Sequence, residues 1–323
     1  MKVIALLPVR NESWVLRHSL ACLSGFCDVV LVGDQASTDR SRDICREFPN
    51  VVLLESATAQ ICEQARWRLW DAARDFDGDN LIWCTDADEV VSPGLARAFL
   101  ERDRDRLTPG TVVECRYYHA WNSAGEYRTT AGAYAPHWKP VAVVDDRRMD
   151  YSRARALPLH EERVPVTPAS RRIQADEVPV IHLQWLLPRR TQVRQAWYRG
   201  REWMQQERSA AAINDTYSRT LPSARVVTAP IPARWVEDVT VPDPAADRNA
   251  PWQEAELLEW FAELGPAYFE PLEIWHVDTL GDAFRRREGR APKPDRSYRP
   301  TWPDRAKQFG RRLARAVRRR LPI

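Results

Sequence analysis

Long apolar runs are missing from this sequence. Charges interrupt every apolar stretch, so no window among the 323 residues approaches the roughly 20 consecutive apolar residues that a membrane-spanning helix needs. The opening run stops at Val9 without a small-residue cleavage site, which predicts no secretory leader and a cytoplasmic protein. Cys-x-x-Cys spacing is also missing. The six cysteines (22, 27, 45, 62, 84 and 115) fall inside segments patterned as strands and helices, so reduced, packed thiols are expected. No Gly-x-Gly-x-x-Gly follows an apolar run, which argues against a dinucleotide-binding dehydrogenase, and no internal repeat is visible.

Charge of one sign is scarce everywhere but at the end. The formal net charge is +3, yet residues 305–323 carry eight Arg/Lys and no acid, and the other 304 residues carry 40 basic against 45 acidic side chains. The body is therefore net acidic, and with no recognisable reading module, nucleic acid is not an expected partner. In Gln308–Leu321, Phe309, Leu313, Val317 and Leu321 would line one side of a helix, with Arg311, Arg312, Arg315, Arg318, Arg319 and Arg320 opposite. Such a face suits an anionic membrane surface, each basic residue contributing roughly 1 kcal/mol, and predicts peripheral attachment at the inner face of the cell membrane. A solvated tail is the alternative.

What the sequence does contain, in its first half, is an alternation of apolar strands (Val3–Leu7, Val29–Val32, Val51–Leu54, Leu81–Cys84) with helical patterns. This predicts an α/β fold with a mostly parallel central sheet and flanking helices. Asn11 is the expected N-cap of the first helix, which carries Leu16, Leu20 and Leu23 and ends at Gly25. Ser37, Thr38 and Asp39 are expected to open a second helix, and Ala59–Phe76 reads as a third. Val112–Tyr118 predicts a further strand. Beyond it, aromatics and prolines suggest an antiparallel portion, and from Asn249 a helix with Leu257, Trp260, Phe261 and Leu264 on one face stops at Gly265.

Open α/β sheets bind ligands at the carboxyl ends of their strands. Thr85-Asp86-Ala87-Asp88-Glu89 places three carboxylates directly after an apolar strand, where mutual repulsion asks for a cation or ligand. A hard divalent ion fits, and in an extended segment Asp86 and Asp88 would share a side. A solvated acidic turn is the bland reading of Asp-x-Asp alone.

Three neighbours change that reading. Leu7-Pro8-Val9-Arg10-Asn11-Glu12, Gly33-Asp34-Gln35-Ala36-Ser37-Thr38-Asp39, Ala65-Arg66 and Asp86-Ala87-Asp88-Glu89, in this order and at these spacings, resemble the family-two inverting glycosyltransferases over about the first 100 residues. The resemblance implies a GT-A (Rossmann-like) fold in which Pro8, Arg10, Glu12 and Asp34 border the base and ribose of a nucleotide. It implies Arg66 near the nucleotide, Asp86 near the ribose or sugar, and Asp88 on a Mn²⁺ or Mg²⁺ bridging the diphosphate. It also implies a distant histidine completing the metal shell, for which His182 is suitably ordered, although a lone histidine in an apolar segment more often packs. Two departures stand out: Gln35-Ala36 replaces the family's usual Asp-Gly, leaving the base identity open, and Glu89 stands where a second Asp is frequent.

On this resemblance the chain divides into a nucleotide-sugar (donor) half, 1–115, and an acceptor half of the same domain, 116–205. A helical C-terminal extension, 206–285, and a linker with basic amphipathic tail, 286–323, follow. The expected activity is inverting, metal-dependent transfer of a sugar from a nucleoside diphosphate sugar to a hydroxyl acceptor, whether glycan, lipid-linked or small molecule. Glu161, with His160 beside it, is the first choice of general base, and Asp145 and Asp146 compete. Of fourteen tryptophans, Trp121, Trp138 and Trp185 are candidates for acceptor contact. Two alternatives remain. A sugar-nucleotide nucleotidyltransferase would open with a glycine-rich phosphate loop that Pro8–Glu12 lacks, and a non-catalytic membrane-associated sugar-binding protein would use the tail as its anchor. A processive synthase is disfavoured by the missing membrane helices and Gln-x-x-Arg-Trp motif.

Overall fold

A computed structural model of the chain describes residues 1–57, 62–130, 134–148, 163–166, 170–222, 224–243 and 250–295, without the side chains of 62–65. Two compact units result: Met1–Gln184 with Val227–Asp247, and Trp185–Val226 with Arg248–Ile323.

The first unit is built on an eight-stranded sheet. Strand β1 (Val3–Val9) is buried along its whole length, as a strand covered on both faces must be. Helix α1 (Leu16–Ser24) turns Leu16, Leu20 and Leu23 inward and leads to β2 (Val29–Gln35), parallel to β1 with Ile4 opposite Val29. Helix α2 (Ser41–Arg46) and strand β3 (Val51–Ser56) repeat the unit, and α3 (Cys62–Ala73), burying Leu69, Trp70 and Ala73, precedes β4 (Leu81–Cys84). A two-residue strand β5 (Glu89–Val90) and helix α4 (Pro93–Arg102) follow, the helix capped by the Ser92 hydroxyl accepting from Leu95 N.

Strand β6 (Val112–His119), β7 (Glu126–Arg128), β8 (His137–Val144) and β9 (Arg172–His182) make up the less regular half. The sheet order is β3-β2-β1-β4-β8-β6-β9-β5. Strands β1 to β4 run parallel, β8 is antiparallel to β4 and β6, β6 and β9 are parallel, and β5 is antiparallel to β9. Strand β10 (Thr228–Pro230) pairs with β7. The expected α/β sheet with flanking helices is the fold observed.

The second unit packs helices α5 (Pro188–Met204), α6 (Ala210–Tyr217), α7 (Trp252–Leu264) and α8 (Asp278–Glu288) around Val193, Ile213, Leu257, Phe261, Phe269 and Leu280. Helix α7 ends, as predicted, where Gly265 takes φ +80°. Helix α5 belongs to this unit: Gly200 lies so close to Trp260 that a β-carbon there would sit 3.1 Å from the indole.

Two local expectations are corrected. Asn11 does not cap α1; it adopts φ +54°, and Val15 precedes the helix. The second helix starts at Ser41, later than Ser37. Helix α1 does end at Gly25, which is right-handed and whose smallness is needed because a β-carbon would meet Pro93 at 2.6 Å. Cys22, Cys27, Cys45, Cys84 and Cys115 are free and buried, as expected. Among the described residues no helix is long and apolar enough to cross a membrane, and the tail at 308–321 lies outside them.

Candidate functional site

Because β1, β2 and β4 are parallel neighbours, the segments leaving their carboxyl ends emerge on one edge. The first two are tied together through side chains. Asn11 Oδ1 accepts from Thr38 N at 2.7 Å and Asp39 N at 3.2 Å, while Asn11 N donates to Ser37 Oγ at 2.9 Å. Glu12 N donates to Ser41 Oγ at 3.0 Å and Ser13 N to Asp39 Oδ2 at 2.9 Å. Burial works against the charge of Asp39, yet bonds from Ser41 and Ser13 hold its carboxyl below the ordinary range. Asn11 thus caps the neighbouring loop instead of its own helix, and its left-handed backbone lets it reach.

Pro8 is buried within β1 opposite Gly33, Arg10 is half-buried, and Glu12 accepts from Trp14 Nε1 at 2.6 Å. Asp34 is buried and already occupied, receiving Ser37 N and Arg42 Nε, the latter at 2.7 Å. Next to it Ala36 holds φ +56°, a conformation that glycine adopts at less cost.

The acidic motif is a turn, not an extended segment. Glu89 N bonds Asp86 O at 3.1 Å, so Asp86 and Asp88 face different partners. Asp86 is gripped on one oxygen by Arg66 and on the other by Arg163. At roughly 4 Å and an effective dielectric near 20, one unit-charge contact is about 4 kcal/mol, so two arginines outweigh repulsion from one carboxylate. Burial opposes the charge of Asp86, but Arg163 and then Arg66 hold its carboxyl below the usual range. Glu89, whose role the sequence left open, is a buried hub. It accepts from Tyr117 OH, from Thr85 Oγ1 at 3.1 Å, from Asp86 N at 3.2 Å and from Arg163 at 2.5 Å. The chain's own arginines therefore supply most of the positive charge that the cluster demands.

Asp88 is placed differently. It is buried, its carbonyl accepts from Leu183 N at 2.7 Å, and its Oδ1 lies 3.3 Å from His182 Nε2. His182 ends β9, with Glu89 of β5 opposite on one side and His119 of β6 on the other. Its second ring nitrogen, Nδ1, is 3.2 Å from His119 Nδ1. Burial, and then the neighbouring His182, push the His119 imidazole well below its ordinary pKa, toward the neutral form. Lys139 sits with its ammonium 4.5 Å over the Tyr117 ring; burial and the nearby Arg163 lower its pKa to about 8. Among the described residues no group of three His, Cys, Asp or Glu side chains could hold a metal.

The structure brings Arg66, Asp86, Asp88, Glu89 and His182 together at one strand end, but not Asp145 or Asp146. Strand β8 runs against β4 with Val144 opposite Leu81, so Asp145 and Asp146 lie at the start of β4, on the opposite edge from Asp86. Asp145 is moreover held by Arg74 at 2.8 and 2.9 Å, and Asp146 accepts from Arg148 N. His160 and Glu161 lie outside the described residues. Trp121 stacks on the buried Arg128 at 4.5 Å, and Trp185 is buried in the second unit.

Sequence reasoning missed Arg163, His119, Tyr117 and Lys139. A signal existed for the last three. Tyr117-x-His119 and His137-x-Lys139 alternate with period two on adjacent strands, Tyr117 opposite His137. Arg163 carried none beyond its place two residues after Glu161.

No known family profile matches the chain, and no curated protein matches it. Among solved structures, S. aureus TarS in complex with UDP-GlcNAc is 17% identical over 37% of this chain and 35% of that one, with a TM-score of 0.28. Glucosyl-3-phosphoglycerate synthase from Mycobacterium tuberculosis, in complex with Mn2+, UDP and glucosyl-3-phosphoglycerate, is 14% identical over 37% of this chain and 44% of that one, with a TM-score of 0.27. The chain spans under half the length of either protein, and the likeness is confined to about a third of its own.

Proposed function

We propose that the first unit is a glycosyltransferase that moves a sugar from a nucleoside diphosphate sugar to a hydroxyl acceptor with inversion, assisted by Mn²⁺ or Mg²⁺. The observation that carries this reading is the Asp88–His182 pair, 3.3 Å apart at the carboxyl end of β4 beside the arginine-bound Asp86. A buried carboxylate facing an imidazole nitrogen is a donor set that suits a divalent ion whose remaining positions are filled by phosphate oxygens and water. Held by Asp88 and His182, such an ion would supply positive charge to offset the negative charge on the departing diphosphate.

The chain's own groups do the rest. The tied loops carrying Pro8, Arg10, Glu12 and Asp34 receive the nucleoside, and their mutual hydrogen bonds fix them before it arrives. Arg66 and Arg163, with Lys139 behind them, provide positive charge at the strand end, where the leaving group's charge grows. Glu89 holds Arg163 and Tyr117 in place and is not a ligand. Glu161, aided by His160, takes the acceptor's proton; it stands two residues before Arg163, whose side chain reaches Asp86 and Glu89. A lipid-linked or envelope glycan is the acceptor class that the basic tail would favour.

A thermal-shift series with UDP, GDP, dTDP and CDP in the presence of Mn²⁺ identifies the base, since a ligand that binds only the folded state raises its melting temperature. UDP comes first, because both compared structures hold UDP or a UDP-sugar. Asp88→Asn should then abolish Mn²⁺-dependent release of the nucleoside diphosphate from its sugar while the circular dichroism spectrum stays unchanged. Undiminished turnover in that variant refutes the reading.

A further inference from the structure

Two imidazoles meet through the same type of nitrogen at the end of β9. His182 Nδ1 and His119 Nδ1 are 3.2 Å apart, and such a contact holds one hydrogen, so one ring donates and the other accepts. The choice is not neutral for Asp88. When His119 donates, His182 carries its hydrogen on Nε2 and points it at Asp88 Oδ1, 3.3 Å away. When a neutral His182 donates, its Nε2 presents a lone pair toward that carboxylate, an arrangement that a cation between them makes favourable.

We propose that His119 is the positioning residue of this site: by accepting the Nδ1 hydrogen of His182, it turns the bare Nε2 of His182 toward the cation held by Asp88. This rests on the reading of Asp88 and His182 as cation ligands. His119 is suited to the task. It is buried, it neighbours His182 in register across β6 and β9, and Ala120 N bonds His182 O at 3.0 Å, so the two backbones cannot drift apart. It is not itself a third ligand, since its Nδ1 faces His182 and among the described residues no three-residue metal group forms. A ligating histidine generally donates its other N–H to a fixed acceptor, and losing that acceptor typically weakens metal binding 10–100-fold.

Without the cation His119 carries its hydrogen on Nδ1 and His182 on Nε2; with it, His119 carries it on Nε2 and His182 on Nδ1. Each ring loses one hydrogen and gains one through solvent exchange, so the pair as a whole neither releases nor takes up a proton.

The test uses the full chain. In ¹⁵N-labelled protein, Mg²⁺ should convert His182 Nε2 and His119 Nδ1 from protonated to bare nitrogen signals while their partner nitrogens change the other way. In electron paramagnetic resonance titrations with Mn²⁺ alone, His119→Phe should bind about 10–100-fold more weakly, and His119→Asn, whose amide oxygen replaces the acceptor, should recover most of that loss. Wild-type affinity in His119→Phe, alongside lost affinity in Asp88→Asn and His182→Ala, overturns the role of His119. Unchanged Mn²⁺ affinity in Asp88→Asn and His182→Ala as well overturns the cation reading itself, and the proposal with it. The nitrogen signals of the wild type need no variant, so a misfolded mutant does not decide the matter.

Discussion

Buried polar side chains are held differently around Arg199 and Asn214 of the helical unit and at the end of β4 in the sheet unit. In the helical unit, Arg199 is fully buried, and its guanidinium donates to the main-chain carbonyls of Gln195 at 3.2 Å and Tyr217 at 2.9 Å. Asn214 likewise donates to the carbonyls of Pro271 and Asp295 and accepts from Glu273 N. In the sheet unit, the buried groups at the end of β4 satisfy one another: Asp86 with Arg66 and Arg163, Glu89 with Tyr117 and Arg163, Asp88 with His182. A side chain bonded to backbone carbonyls locks a chain path. Charged side chains bonded to each other can exchange a partner for a ligand of the same sign, which is what a binding site requires.

The largest effects should come from each unit's own kind of anchor. Glu89→Ala strands Arg163 and Tyr117 and should cost about 3–5 kcal/mol in denaturant unfolding, as does breaking a buried ion pair from one side. Phe269→Ala, in the apolar core of the helical unit, should cost a similar ~3–5 kcal/mol by leaving a cavity, yet should not change Mn²⁺ affinity of the folded protein. If Phe269→Ala lowers that affinity as much as Asp88→Asn does, the contrast between the units is broken.

A smaller effect depends on pH. Burial, followed by the nearby Arg199, lowers the His276 pKa to about 4 from an ordinary 6.5. Between those values the unfolded chain binds more protons, so the contribution of His276 to stability rises as pH climbs from 4 to 6.5 and is level above. His276→Asn should make that limb shallower in chemical denaturation measured across the interval, with the buried His119 of the sheet unit contributing in the same direction. The smallest effect is expected at Ala36, where Ala36→Gly should relieve left-handed strain and stabilise the sheet unit by about 1 kcal/mol. A loss of stability there would mean that the tied loops depend on the stiffness of alanine.

The parallel half was legible because each strand opens on a continuous apolar run; Leu81–Cys84 is predicted to the residue. Asn11 was misread because a capping side chain does not announce which segment it caps, and here the acceptor crosses to residues 38 and 39. The acidic motif was recognised, but its division of labour was not. That division arises from a turn and from partners such as Arg163 and Tyr117, distant in sequence, which no local pattern ties to residues 86–89. Tyr117, His119, His137 and Lys139 were readable in principle, given attention to period two among titratable residues instead of apolar ones.

The arginine grip on the acidic turn also sets an order in time. Arg163 lies 74 residues beyond Glu89, so the turn leaves the ribosome well before the guanidinium that holds it. At about 5–20 residues per second that interval is roughly 4–15 s. During it β1 to β4 can assemble from nearby sequence, with Arg66 as the cation available to Asp86 from the chain already made. Closing the long loop comes last, so a nascent chain can pair β1 to β4 before the acidic turn is gripped, and truncation before residue 163 leaves those strands without Arg163 or β9.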